Sequence, residues 1–127
     1  MLFRSTFGQA IETYYGLYQN KLKHGEAVAL GITVAAKLSH LLFNTNDTKK
    51  LWENTNEILS RYYLPNNFHK IETKDIPNLD DLVANMINDK KRISIGNRFI
   101  LCKAIGKGDI KLIKDNNLIR KAFESIY

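Results

Sequence analysis

Two neighbouring stretches decide how this chain folds: STFGQAIETYYG (residues 5–16) and, one turn later, KHGEAVALG (residues 23–31). In the first, Phe7, Ala10, Ile11, Tyr14 and Tyr18 recur at helical spacing, which predicts an amphipathic helix from about Thr6 to Leu22. The second opens EAVALGITVAAKLSHLLF (residues 26–43), apolar on most faces, and such a helix belongs in the middle of a bundle. Gly31 costs helix propensity in that interior, so a neighbouring backbone or a ligand is expected to approach it closely.

Working outward, Asn46 or Asp47 is expected to cap a third helix carrying Leu51, Trp52, Thr55, Ile58, Leu59 and Tyr62, with Pro65 ending it. Asn78 caps a fourth, with Leu79, Leu82, Val83, Met86 and Ile87 inward and Asp80 and Asp81 suited to its first turn. RISIGNRFILCKAIGKGDIKLI (residues 92–113) is rich in isoleucine and punctuated by GN and GKGD, which predicts two or three short strands joined by tight turns. NNLIRKAFESIY (residues 116–127) reads as a closing helix capped by Asn116 or Asn117. The expected fold class is mainly α, a multi-helix domain with a small β element near the C-terminus, and residues 1–127 are expected to form one domain.

Composition narrows the function classes. The net charge is +6 in 127 residues, yet the lysines and arginines are scattered. The densest run, DKKR (residues 89–92), opens with an acid, so neither a basic patch nor a nucleic-acid partner is expected. Lys37 and His40 interrupt the most apolar segment, and no membrane span or secretory leader is expected. The single cysteine, Cys102, has no internal disulfide partner, which fits a cytoplasmic setting; it is expected to be a small buried hydrophobe. His40 and His69 are read as ordinary helix and loop residues, and Trp52 and the tyrosines as core or interface.

Helical positions i and i+4 share a face, so Ser5 and Gln9 lie together if the first helix starts early, and His24 can fold back toward them. A histidine at position 5 would pair with His24 as half of a zinc site. STFGQAIE, HGEAVALG, AAKLSH, DKK and RFILCKAIG, in this order, resemble the C-terminal helical domain of 3-dehydroquinate synthase across almost the whole chain. The family pattern is approximately L-N-F-G-H-T-x-G-H-A-I-E, then H-G-E-x-V-A-x-G, D-K-K and R-F-x-L-x-x-x-I-G. The resemblance implies a metal- and NAD-dependent carbon–oxygen lyase of the shikimate pathway, which turns a seven-carbon sugar-acid phosphate into 3-dehydroquinate. It also implies a nucleotide held mainly by an N-terminal α/β domain that these residues lack, and substrate and metal in the cleft between the two domains.

Carried over residue by residue, the resemblance assigns His24 to a metal-binding histidine. It places Ser5 where the domain's other metal-binding histidine belongs, and a hydroxyl is a poor zinc ligand beside imidazole. Gln9 stands at a histidine that handles protons near the substrate, and an amide does not titrate near neutrality. Leu2 replaces a substrate-contacting asparagine and Arg4 a glycine. Lys90 or Lys91 corresponds to a position that binds the anionic substrate, and Arg4, a cation where divalent metal would sit, can attract an anion instead. Glu12, Gly25, Glu26 and Gly31 also match, with structural roles that explain them as well. The third metal ligand, a carboxylate, is implied to lie in the other domain.

These readings make the chain a truncated dehydroquinate-synthase-like domain, inactive alone, with no catalytic residues and no cofactor of its own where the family uses NAD and zinc or cobalt. Two alternatives stand beside it: one subunit of a split enzyme completed by a separate NAD-binding half, and a non-enzymatic basic helical binding module. An uncovered inter-domain surface would favour a homo-oligomer.

Overall fold

The computed structural model describes residues 2–17, 22–71, 75–92, 98–104, 107–113 and 115–127. Within them the chain is mainly helical. Five α-helices run in the order α1 (Leu2–Leu17), α2 (His24–Phe43), α3 (Asn46–Arg61), α4 (Leu79–Arg92) and α5 (Asn116–Glu124), with one 3-10 turn at Phe68–Lys70. Between α4 and α5, β1 (Arg98–Ala104) and β2 (Lys107–Leu112) pair antiparallel, Arg98 opposite Leu112 and Ile100 opposite Ile110.

The apolar helix α2 lies against α1, α3 and α5, as its composition requires. It buries Leu30, Val34 and Leu38 together with the small Ala27, Gly31 and Ala35. Two hydroxyls follow them inside. The Thr33 hydroxyl donates to the Ala29 carbonyl at 2.9 Å and that of Ser39 to Ala35 at 3.1 Å, so neither is left without a partner. By length and hydropathy alone α2 is sufficient to cross a membrane, contrary to the expectation that Lys37 and His40 would prevent it. Its apolar surface is used for packing: 56% of the span is buried inside the structure.

The first helix starts earlier than the periodicity predicts, and its buried stripe is Phe7, Ala10, Ile11 and Tyr15 rather than one running through Tyr14 and Tyr18. Tyr14 is half-buried beside it, and Tyr18 lies outside the described residues. Phe7 meets Phe123 of α5 edge to face, with ring centroids 5.5 Å apart, and this contact ties the first helix to the last. Leu82, Val83 and Met86 of α4 and Ile119, Ala122 and Phe123 of α5 complete the core, with Leu79 and Ile87 packed at its margin.

Three expected helix boundaries move, each for a local reason. Thr45, not Asn46 or Asp47, caps α3: its hydroxyl accepts the Thr48 amide at 3.1 Å while the Thr48 hydroxyl accepts the amide of Thr45. Asp115, not Asn116 or Asn117, caps α5 by accepting the Asn117 amide at 2.9 Å. Pro65 does not end α3. The helix stops at Arg61, where the Leu64 amide donates to Leu59 and that of Tyr63 to Ser60, the paired bonds of a Schellman stop. That stop holds Tyr63 at φ 58°, in the left-handed region glycine usually occupies. The end of α3 also leaves the core, since Ile58 and Tyr62 are exposed and only Leu59 of the expected stripe is fully buried. The fourth cap is where it was expected, with Asn78 accepting the Asp81 amide at 3.2 Å.

Candidate functional site at the corner of the first two helices

The expected close approach at Gly31 is present, and its neighbour is a backbone. A Cβ added to Gly31 would stand 2.6 Å from the Gly8 nitrogen and 2.9 Å from its Cα. One added to Gly8 would meet the Ala27 carbonyl oxygen at 3.3 Å. The two helices cross with almost nothing between their main chains. Gly8 faces Gly31 and Ala27, and further along α1 Glu12 faces His24, so α1 and α2 run antiparallel. Their crossing places the start of α2 beside the middle of α1.

At this corner the His24 ring nitrogen Nδ1 lies 2.7 Å from Oε1 of Glu12. The pair is at the surface, the histidine side chain 79% exposed and the glutamate 38%. A turn of backbone sets its geometry: α2 begins at His24, and the Lys23 amide donates to Glu26 Oε1 at 3.1 Å, closing the first turn. Gly25 has open space where a Cβ would be, so packing does not demand a glycine there.

Gln9 is exposed on α1, one helical turn before Glu12. Ser5 and Arg4 belong to the first turns of α1 and share its backbone geometry, and Leu2 begins it; their side chains lie outside the described residues. The same holds for Lys90 and Lys91, in the last turn of α4, and for Cys102 in β1. The other two histidines are occupied elsewhere. Nδ1 of His40 lies 3.2 Å from the Thr48 hydroxyl, and Nε2 of His69 donates to the Tyr127 carbonyl at 2.8 Å.

A zinc-type ion needs three or four converging nitrogen, sulfur or carboxylate donors. Among the described residues no three histidine, cysteine or acidic side chains converge in that way. The corner supplies one imidazole, and the nearest carboxylate is engaged with that imidazole. These donors do not make a metal site by themselves.

The profile of the 3-dehydroquinate synthase C-terminal family matches residues 3–92, most of the chain and all of the corner. The chain belongs to that family. It is 39% identical over 119 residues to the 3-dehydroquinate synthase of Acinetobacter baumannii (strain SDF), covering 92% of this chain and 30% of that protein. The corresponding enzyme of Xanthomonas oryzae pv. oryzae is 40% identical over 112 residues, covering 83% of this chain and 27% of that protein. That of Clostridium tetani is 32% identical over 122 residues, covering 96% and 30%. The chain therefore spans about 30% of the length of these curated relatives.

Against the family pattern, reading the sequence singled out His24 but missed its partner. Glu12 matches the family pattern with a structural role that explains it as well, and its contact with His24 bridges twelve positions across a turn. No local spacing rule reports such a contact. The signal available was composition: an acid closing the AIE run of one helix, and a histidine opening the next.

Proposed function

We propose that these 127 residues act as one domain of the dehydroquinate-synthase type that is catalytically inactive on its own, a metal-binding remnant working in the cytoplasm. The observation that carries this reading is the corner itself. It offers one imidazole, already bonded to Glu12, and an exposed amide at Gln9 where the family pattern has a second histidine. An amide can neither take nor give a proton near neutral pH, so the position supports binding and not proton transfer. Ser5 in place of the other ligand histidine removes a nitrogen donor from the same face. No cofactor is expected for this chain alone, and the ribbon at residues 98–112 is taken as an integral part of the domain.

The test is direct. The purified chain is mixed with the seven-carbon sugar-acid phosphate, NAD and zinc, and phosphate release is followed. Background release is expected; release proportional to chain concentration would overturn the proposal.

A second reading, one half of a split enzyme, is favoured by the orderly His24–Glu12 pair. Its test is to add the separately produced remainder of a relative to the same assay. Turnover that appears only in the mixture would put this reading first. Self-association is proposed as well, supported by Ile58, Tyr62, Tyr63 and Leu64, which stand exposed at the end of α3. Light scattering showing a monomer at all concentrations would remove it.

A further inference from the structure

Of the groups that remain at the corner, Glu12 has a function that its family position does not state. An ionised carboxylate can only accept hydrogen bonds. Nδ1 of His24, 2.7 Å from Glu12 Oε1, must therefore be the nitrogen that carries the proton and donates. In a neutral imidazole only one nitrogen carries hydrogen, so the lone pair is left on Nε2. A free histidine side chain in water prefers the opposite form, with hydrogen on Nε2.

We infer that Glu12 is a positioning residue that sets the tautomer of His24, holding Nδ1–H inward and keeping Nε2 as an open nitrogen donor on an exposed side chain. The same contact restrains the ring. The glutamate comes from the middle of α1 and the histidine is the first residue of α2, so the bond fixes the imidazole relative to both helices. Carboxylates placed behind an imidazole do this where the imidazole binds a metal, fixing ring orientation and raising the basicity of the far nitrogen. Here the supporting partner is in place although the donors that would complete a site are not found among the described residues.

The inference rests on the geometry of the pair and not on the chain being inactive, so turnover in the assay above would leave it standing. Its test is a long-range proton–nitrogen NMR spectrum of chain labelled with nitrogen-15 at histidine, recorded at the alkaline plateau where the rings are neutral. With three histidines in the chain, the His24 signals are assigned by their loss in His24→Gln. The wild type is expected to show His24 mainly with a protonated Nδ1 and a bare Nε2. Glu12→Ala is expected to move the ratio toward the Nε2–H form by roughly fivefold or less, the scale of an exposed charged pair. Glu12→Gln, which keeps an acceptor without the charge, is expected to fall between the two. A wild-type spectrum dominated by Nε2–H, or a ratio indifferent to Glu12→Ala in a variant that melts as wild type does, would overturn the inference. A merely structural tie would change the melt and leave the tautomer where it was.

Discussion

The inward face of α1 presents Phe7, Gly8, Ile11 and Tyr15 to the core and to α2, with backbones almost in contact at Gly8 and Gly31, whereas its outer edge carries Gln9 in solvent and Glu12 at the surface. The two sides answer to different constraints. On the inner side a Cβ added at Gly8 or Gly31 meets backbone, which cannot rotate away, so sterics constrain the residue type there. On the outer side nothing is crowded, and an exposed histidine can become glutamine for little change in folding free energy. Family resemblance therefore reports the packing of this helix faithfully and says much less about its chemistry.

The contrast can be broken most sharply at Gly31. Gly31→Ala places a methyl group 2.6 Å from the Gly8 nitrogen and should lower the unfolding free energy by about 1–3 kcal/mol in urea titrations. An unchanged midpoint would mean that the seam yields. Next comes Tyr15, whose hydroxyl donates to the Asp75 carbonyl from inside the core. Tyr15→Phe should cost about 1 kcal/mol at neutral pH.

The pH dependence of that residue has a definite sign. Burial first, and Asp75 beside it, push the Tyr15 hydroxyl well above the ordinary tyrosine range. In strong base the unfolded chain then gives up its proton before the folded one does. Stability should hold up to about pH 10, the unfolded value, and fall beyond it. Tyr15→Phe should flatten part of that fall, which denaturant titrations across alkaline pH would show. Tyr127 is raised by burial in the same direction and would account for part of what remains.

Gly8→Ala sharpens the comparison at smaller scale. Its methyl would meet the Ala27 carbonyl oxygen at 3.3 Å, while alanine gains about 1 kcal/mol of helix propensity over glycine. The two terms nearly cancel, so a net change within about 1 kcal/mol is expected, well short of Gly31→Ala. Smallest of all, Gln9→His on the outer face should shift stability by no more than about 0.5 kcal/mol. A larger effect in a thermal melt would show that this edge is structural after all.

Much of the scaffold was legible because local rules govern it. The apolar run of α2 demanded a central position, Gly31 demanded a close neighbour, and Leu82, Val83 and Met86 repeat at helical spacing. Boundaries were less legible where a competing residue stood one position away. Thr45 takes the cap from Asn46 and Asp115 from Asn116, since the extended backbone of the preceding residue lets its oxygen reach back to the helix. The exposure of Ile58 and Tyr62 could not be read from periodicity, which reports a stripe but not where its covering neighbour ends. At the candidate site His24 was visible through its motif. Its bond to Glu12 was not, because that bond exists only once the crossing of α1 and α2 has formed.

Ile126 and Tyr127 have a bearing on the order in which contacts form during synthesis. The Phe68 amide donates to the Ile126 carbonyl, the Tyr127 ring packs edge-on against Phe68, and the Tyr127 hydroxyl donates to the Pro77 carbonyl at 2.7 Å. None of these contacts can form while residue 127 is still inside the ribosome. The residues of the α1–α2 crossing precede these in the chain, so during synthesis the contacts around Phe68 and Pro77 are the later ones to close.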